Sequence, residues 1–305
     1  MIAQKAIDIY NPHDWLGLWV AANLKRARIV ALINDVPERH KNSLGERIKL
    51  AIDRAAAQKI AYLLVLDEQN RGEAIAWSQI APPKVLVVRS GIDVKKYEAF
   101  RKKYDLKRMF NLEPNSLVLI CANLLLKHRR YEDVIYALAR LKDLSRPVHL
   151  IILAKQDFCP DYAAYLHKIT DELGLNEKVH FIDKFVSDEE RMAYIAGSDL
   201  LVFPNSPQTW GLTAIEAMAL GVPVVVSTGA GVSEVLHDGV DAIIYPDRDV
   251  AELTHKLSLY LKNPEKLKKI GQKGKAYILA TFSWEKFGDE VARAMEQSLI
   301  PPQRL

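Results

Sequence analysis

Cysteine is almost missing from this chain: Cys121 and Cys159 are the only two among 305 residues. Two thiols cannot build a disulfide framework or a cysteine metal cage, so a reducing, cytoplasmic setting is the expectation. Long hydrophobic runs are also lacking. The longest, LVLICANLLL (117–126) and VPVVV (222–226), fall far short of the ~18–20 residues that span a bilayer. The amino-terminal MIAQKAIDIY has no signal-peptide layout. No basic stripe with interleaved aromatics occurs, which argues against nucleic acid as a partner. No histidine–cysteine cluster has metal-ligand spacing, and no repeat of roughly 20–50 residues is visible.

What remains is a chain that is 49% hydrophobic and 26% charged, able to bury a substantial core in about two domains. Its charge is uneven. Residues 1–110 hold 20 Lys and Arg against 12 Asp and Glu, a balance of +8, while the remainder carries −4. A basic half beside an acidic half suits an anionic substrate or the inner face of a membrane, with the protein peripheral to it. Ordinary scatter over a solvated surface explains the same imbalance.

Short β-branched runs alternate with amphipathic segments, as in βα units on a parallel sheet. Four strands are predicted early, at 6–12, 28–34, 61–67 and 84–90, with helices around 15–26, 44–59 and 70–79. RSGID (89–93) and the charged stretch after it mark a crossing into a second domain. There six strands are predicted, at 116–123, 148–154, 179–183, 200–204, 223–227 and 242–246. Helices are expected at 131–143, 160–173, 187–196, 212–220, 231–237 and 249–262, and two more, at about 264–281 and 284–298, close the chain.

One helix poses a chemical question. GLTAIEAMALG (211–221) is apolar nearly all round, yet carries Glu216 at its centre. A buried carboxylate costs several kcal/mol unless it is hydrogen-bonded. Either the helix is more exposed than its composition suggests, or Glu216 has a partner that the chain does not supply. The layout favours a ligand: strand, loop, then a helix opened by Gly211, where a phosphate can approach a backbone that has no Cβ. The amides of Leu212 and Thr213 would hold that phosphate. Thr213 and Glu216 share one face, and a carboxylate one turn in can accept bonds from two ribose hydroxyls. Taken alone, a helical Glu is more often solvated or locally paired.

The stretch 198–249 (SDLLVFPNSPQTWGLTAIEAMALGVPVVVSTGAGVSEVLHDGVDAIIYPDRD) resembles the donor-binding core of glycosyltransferase family 4. The similarity runs outward through SGID (90–93), KHRRYEDVIYAL (127–138), KVHFIDKFVSDEERMAYIAGSDL (178–200) and FSWEKF (282–287), covering roughly residues 85–290. The resemblance implies an α/β protein of GT-B type, with two Rossmann-like domains facing a cleft, the amino-terminal one incomplete. Residues 1–105 would form the acceptor-side domain and 106–283 the nucleotide-sugar domain. Residues 284–305 would cross back as a terminal helix.

It further implies a retaining, metal-independent transfer of a hexosyl unit from a nucleotide diphosphate sugar to a hydroxyl acceptor, with no cofactor. Glu216 would bind the ribose. The family's first glutamate, with seven residues between it and the second, is Gln208 here, which keeps hydrogen bonding but supplies no charge. Lys127 matches the family's phosphate-binding lysine, while the usual arginine falls near Ala122 or Asn123 and is missing. Arg129 or Arg130 would compensate. GAGVSE (229–234) offers small residues and amides, with Glu234 readable equally as a helix-start acid. His13, after the first strand, takes the place of the family's active-site histidine; a His there is otherwise structural. Relatives begin with a Gly-rich strand–loop–helix, and this sequence resembles them only from about the fourth strand onward. The missing strands would come from an earlier start, a partner chain or a second copy. A catalytically impaired nucleotide-sugar-binding subunit is the competing reading.

Overall fold

The computed structural model describes residues 9–10, 28–32, 44–142, 144–206 and 210–299. His13, Gln208 and the helix expected at 15–26 lie outside these residues. The chain divides into two compact units. The first comprises residues 1–91, 208–210 and 284–305, and the second 92–207 and 211–283. The charged stretch after Gly91 therefore clusters with the second unit, where Tyr97 is buried.

The first unit holds a parallel sheet in the order β1 (Ile9–Tyr10), β2 (Arg28–Leu32), β3 (Tyr62–Val65), β4 (Val85–Val87). Helices α1 (Leu44–Ala57) and α2 (Glu68–Ser78) connect these strands. Ala31, Leu63, Val65 and Val85 form its core with Ala56, Ile60, Ala74 and Ile80. Buried Asp67 caps α2, accepting from the amide of Asn70 at 2.7 Å and from its side chain at 2.8 Å. Among the described residues β1 pairs only with β2.

The second unit is built on a six-stranded parallel sheet. Its strands are β5 (Leu117–Ala122), β6 (Val148–Leu153), β7 (Val179–Ile182), β8 (Leu200–Phe203), β9 (Val224–Ser227) and β10 (Ile243–Tyr245). They run in the order β10-β9-β8-β5-β6-β7. Every residue of β5, β8 and β9 is buried, because helices cover both faces of a parallel sheet. This is why those strands read as unbroken apolar runs.

Two short helices, α3 (Val94–Ala99) and α4 (Leu106–Met109), occupy the charged stretch. Then follow α5 (Tyr131–Arg140), α6 (Pro160–Glu172), α7 (Asp188–Gly197), α8 (Leu212–Ala219), α9 (Val250–Leu261), α10 (Pro264–Thr281) and α11 (Trp284–Leu299). Leu117, Leu119, Cys121, Leu150 and Ile152 point to one face of the sheet, into a core with α5, α6 and α9. The alternate residues Val118, Ile120 and Ile151 are fully buried on the other face. Helix α11 clusters with the first unit, against β2 and β3.

Elements begin where local chemistry predicts. Ser187 and Glu190 form a reciprocal capping box on α7, Asp249 caps α9, and Asn263 with Pro264 opens α10. One expectation is corrected. The helix foreseen at 231–237 is a 3₁₀ turn over Gly231–Val235, since a segment this short, opened by Gly231 with Gly229 just before it, propagates no α-helix. Helix α10 packs against α8 at close range. A Cβ on Gly274 would lie 2.6 Å from Asp241 O and 3.0 Å from Met218 Cε, so only hydrogen fits there. Among the described residues no helix is long and apolar enough to cross a membrane.

Neighbouring strands place His149 and His180 ring to ring, Nδ1 to Nε2 at 3.1 Å, with Phe110 against His180 at 5.0 Å. Burial pushes both imidazoles below their ordinary range, and His149 pushes His180 down further. The folded pair thus binds fewer protons than the unfolded chain, whose imidazoles titrate near ~6.5. The contribution to stability is present above that pH and lost as pH falls through it. We expect the urea midpoint to drop between pH 7 and pH 5, and to drop less in His180→Gln. Equal slopes in both proteins would remove the pair from the acid response.

Candidate donor site

In doubly wound sheets the ligand crevice lies outside the carboxyl ends of the strands, where the strand order reverses. Here that point falls between β5 and β8. From β5 the chain proceeds outward to β6 and β7, and from β8 the other way to β9 and β10. The loops leaving β5 and β8 meet there: Asn123 Nδ2 donates to Thr213 Oγ1 at 3.3 Å.

Gly211 makes the entry into α8 possible. Its φ of +96° is left-handed, and a Cβ would stand 2.7 Å from Val232 Cγ1. Both constraints call for glycine. The first amides engaged within this turn are those of Ala214 and Ile215, bonded to Gly211 O. Leu212 and Thr213 thus present their N–H groups at the open, positive end of the helix.

A cavity of about 510 Å³ lies against this end, lined by fifteen residues that include Asn123, Lys155, Phe185, Arg191, Thr213 and Glu216. Its size suits a small-molecule ligand. Phe185 is 85% exposed, and with Leu124, Leu153 and Val186 it gives the cavity an apolar wall. Lys184 also lines it, and Lys155 does so while paired with Asp157 at 2.8 Å.

Glu216 is 8% exposed on the floor, and its partners correct the expectation drawn from sequence. The chain itself supplies them. Arg191 on α7 binds the carboxylate through both terminal nitrogens, Nη1 to Oε2 at 2.5 Å and Nη2 to Oε1 at 3.0 Å. Tyr97 on α3 donates its hydroxyl to Oε1 at 2.7 Å. A bidentate guanidinium plus a phenol offsets the desolvation that an isolated carboxylate would suffer. Burial raises the Tyr97 hydroxyl far above its usual range, and the charge of Glu216 raises it further. Burial works against the Arg191 charge, but the bonds to Glu216 outweigh it and hold the guanidinium protonated.

The basic turn after β5 stands elsewhere around the same strand ends. Lys127 is exposed and opens a 3₁₀ turn over Lys127–Arg129, while Arg129 is buried. Arg130, in the left-handed region at φ +50°, spends its guanidinium on Asp133, Nε to Oδ2 at 2.7 Å and Nη2 to Oδ1 at 2.8 Å. Arg130 is therefore committed to helix α5. His128 O accepts from Ser206 N at 2.8 Å, which ties this turn to the loop that leads from β8 towards Gln208. Ser206 Oγ in turn donates to Asp247 at 2.5 Å and accepts from Arg248 Nε at 3.0 Å. Lys127 and Arg129 do not line the 510 Å³ cavity, whereas Leu212, Thr213 and Glu216 do. Glu234 lies in the 3₁₀ turn, not at the start of an α-helix.

Sequence reasoning missed Arg191, Tyr97, Asn123 and Phe185. A signal for the first existed. Arg191 follows three acids and precedes buried Met192 and Ala193, so one arginine had to leave an otherwise solvated turn for a helix flank. Tyr97 stood hidden among charges in DVKKYEAF.

Comparison with known proteins bears on this geometry. The sequence profile described as Glycosyl transferases group 1 matches residues 103–277. The MMP alpha-(1->4)-mannosyltransferase of Mycolicibacterium hassiacum is 26% identical over 249 residues, covering 81% of this chain and 57% of the relative. The D-inositol 3-phosphate glycosyltransferase of Streptomyces bingchenggensis is 25% identical over 320 residues, covering 98% and 68%. The chain thus spans roughly six tenths of the length of curated relatives that it matches. Among solved structures, Anabaena HepE in complex with UDP superposes with a TM-score of 0.80 at 20% identity, covering 95% of this chain and 79% of that one. Sucrose-phosphate synthase from Thermosynechococcus elongatus gives 0.79 at 19%, covering 97% and 74%.

The turn into α8 is testable on its own. Gly211→Ala should lower unfolding free energy by about 1–3 kcal/mol, since the methyl meets Val232 in a strained backbone. A denaturant titration indistinguishable from wild type would mean that the left-handed turn is not needed.

Proposed function

The chain belongs to the group 1 glycosyl transferases, and from that premise we propose that it moves a hexosyl unit from a nucleotide diphosphate sugar to a hydroxyl acceptor, with retention and without a bound metal or cofactor. One observation carries this reading: the cavity at the β5/β8 switch point has a helix amino end, a Thr213–Glu216 face and an apolar wall with an exposed aromatic on its border. Those are the complements of a diphosphate, a ribose and a base. The solved complexes of HepE with UDP and with UDP-glucose lend support through a shared fold.

In this reading the base lies along Phe185 and Val186, and the ribose reaches Glu216. The amides of Leu212 and Thr213 hold the phosphates, with Lys127 and Arg129 contributing from the neighbouring turn. The leaving diphosphate gathers negative charge, and preorganised N–H groups in a dry cleft favour that charge over the ground state. An oxygen of the departing phosphate deprotonates the acceptor hydroxyl on the same face. Gln208 meets sugar hydroxyls, and His13 serves the reacting end. The basic amino-terminal half offers a surface for an anionic acceptor or membrane.

Gln208 favours one second reading, a nucleotide-sugar-binding subunit with impaired transfer, because an amide supplies no negative charge to an oxocarbenium-like centre. Thermal shift with UDP-, GDP- and ADP-sugars, run beside donor hydrolysis, separates the two. We expect one donor at a hundredfold excess over its Kd to raise Tm by about 5 °C, and Glu216→Ala to lose most of that shift. Identical responses of wild type and variant to every donor would take the ribose away from Glu216. Binding without any turnover would favour the impaired subunit.

A further inference from the structure

The pairing of Glu216 limits what that carboxylate can still do. A carboxylate offers about four lone-pair positions. Two on Oε1 are filled by Tyr97 and by Arg191 Nη2, and one on Oε2 by Arg191 Nη1. A single position on Oε2 remains, too few to accept from both hydroxyls of a ribose. Arg191, by contrast, retains donors. Its guanidinium carries five N–H groups, and its bonds to Glu216 and to Asp188 at 3.4 Å use only Nη1 and Nη2. Nε–H and one hydrogen of Nη1 have no partner among the described residues, and Arg191 and Glu216 both line the cavity. The spare donor on Nη1 and the spare acceptor on Oε2 sit on atoms 2.5 Å apart. They form an adjacent donor and acceptor, the complement of two vicinal hydroxyls.

We propose that Arg191 is a specificity-determining ligand of the donor's ribose, so that the diol is read by an arginine–glutamate pair: one hydroxyl donates to Glu216 Oε2, and the oxygen of the other accepts from Arg191. This rests on the reading of the cavity as a nucleotide site, and deepens it. Removing either hydroxyl leaves a charged group without its bond, which costs tenfold or more in affinity. Tyr97, filling Oε1, keeps the open lone pair on the oxygen beside Nη1.

The test is calorimetric titration with UDP, GDP and ADP and with their 2′-deoxy and 3′-deoxy analogues. Wild type should bind its preferred ribonucleotide about tenfold or more tightly than either deoxy form. Arg191→Lys keeps the charge but loses the fork, and should bring one of the two penalties to within about twofold while leaving the other. Because Arg191→Leu strands a buried carboxylate, the lysine variant is preferred, and wild-type discrimination is an arm that needs no variant. Deoxy forms bound as well as the ribonucleotide by wild type overturn the proposal. So does an Arg191→Lys protein that binds all forms more weakly with unchanged ratios, since that marks a purely structural arginine. Failure of wild type to bind any of the diphosphates defeats the donor reading itself, a result distinct from unchanged ratios.

Discussion

A carboxylate sits in the middle of an apolar helix, and three elements are arranged to keep it there. Glu216 on α8 receives a fork from Arg191 on α7 and a hydroxyl from Tyr97 on α3. An ionised acid that is 8% exposed survives only if the bonds it gains approach those it lost to water. The consequences spread from there. Helix α3 is fixed to α8 through Tyr97, and α7 through Arg191. The face of α8 that carries Thr213 is held towards the β5 loop by Asn123. The cavity takes its floor from the same pair.

Close approach is the second condition. Gly211 lets the chain turn into α8 against Val232, and Gly274 lets α10 lie on its other side beside Met218 and Asp241. Side chains larger than hydrogen at either place would displace the helix by amounts that a hydrogen-bonded pair set at 2.5–3.0 Å would feel. Packing and polar geometry are therefore one constraint here, because the interior cannot relax one without straining the other.

Much of this was legible in the sequence. Ten strands were expected and ten are found among the described residues, since buried parallel strands advertise themselves as β-branched runs bounded by turns. The helices expected at 187–196, 249–262 and about 264–281 were equally plain, and stand at Asp188–Gly197, Val250–Leu261 and Pro264–Thr281. The place of Gly211, Thr213 and Glu216 at a helix start followed from the strand–loop–glycine order. What could not be read was the partner of Glu216. Arg191 is 25 residues away and Tyr97 119, and no local periodicity encodes a bond made across three helices. The Arg130 ion pair escaped for the opposite reason. In KHRRYED its acid is only three residues on, but a left-handed Arg130 was needed to reach Asp133, and backbone of that sign is seldom written into a side chain other than glycine or asparagine.

Charge balance then follows from the pairing. Arg191 neutralises Glu216, and position 208, an acid in the family that the chain resembles, is a glutamine. In a low-dielectric crevice an unpaired carboxylate opposes a diphosphate strongly, because Coulomb energies grow several-fold relative to water. With Glu216 paired to Arg191, that opposition falls away at this position. The pair therefore does two things at once: it satisfies a buried carboxylate and removes a repulsive charge from beside the amides of Leu212 and Thr213.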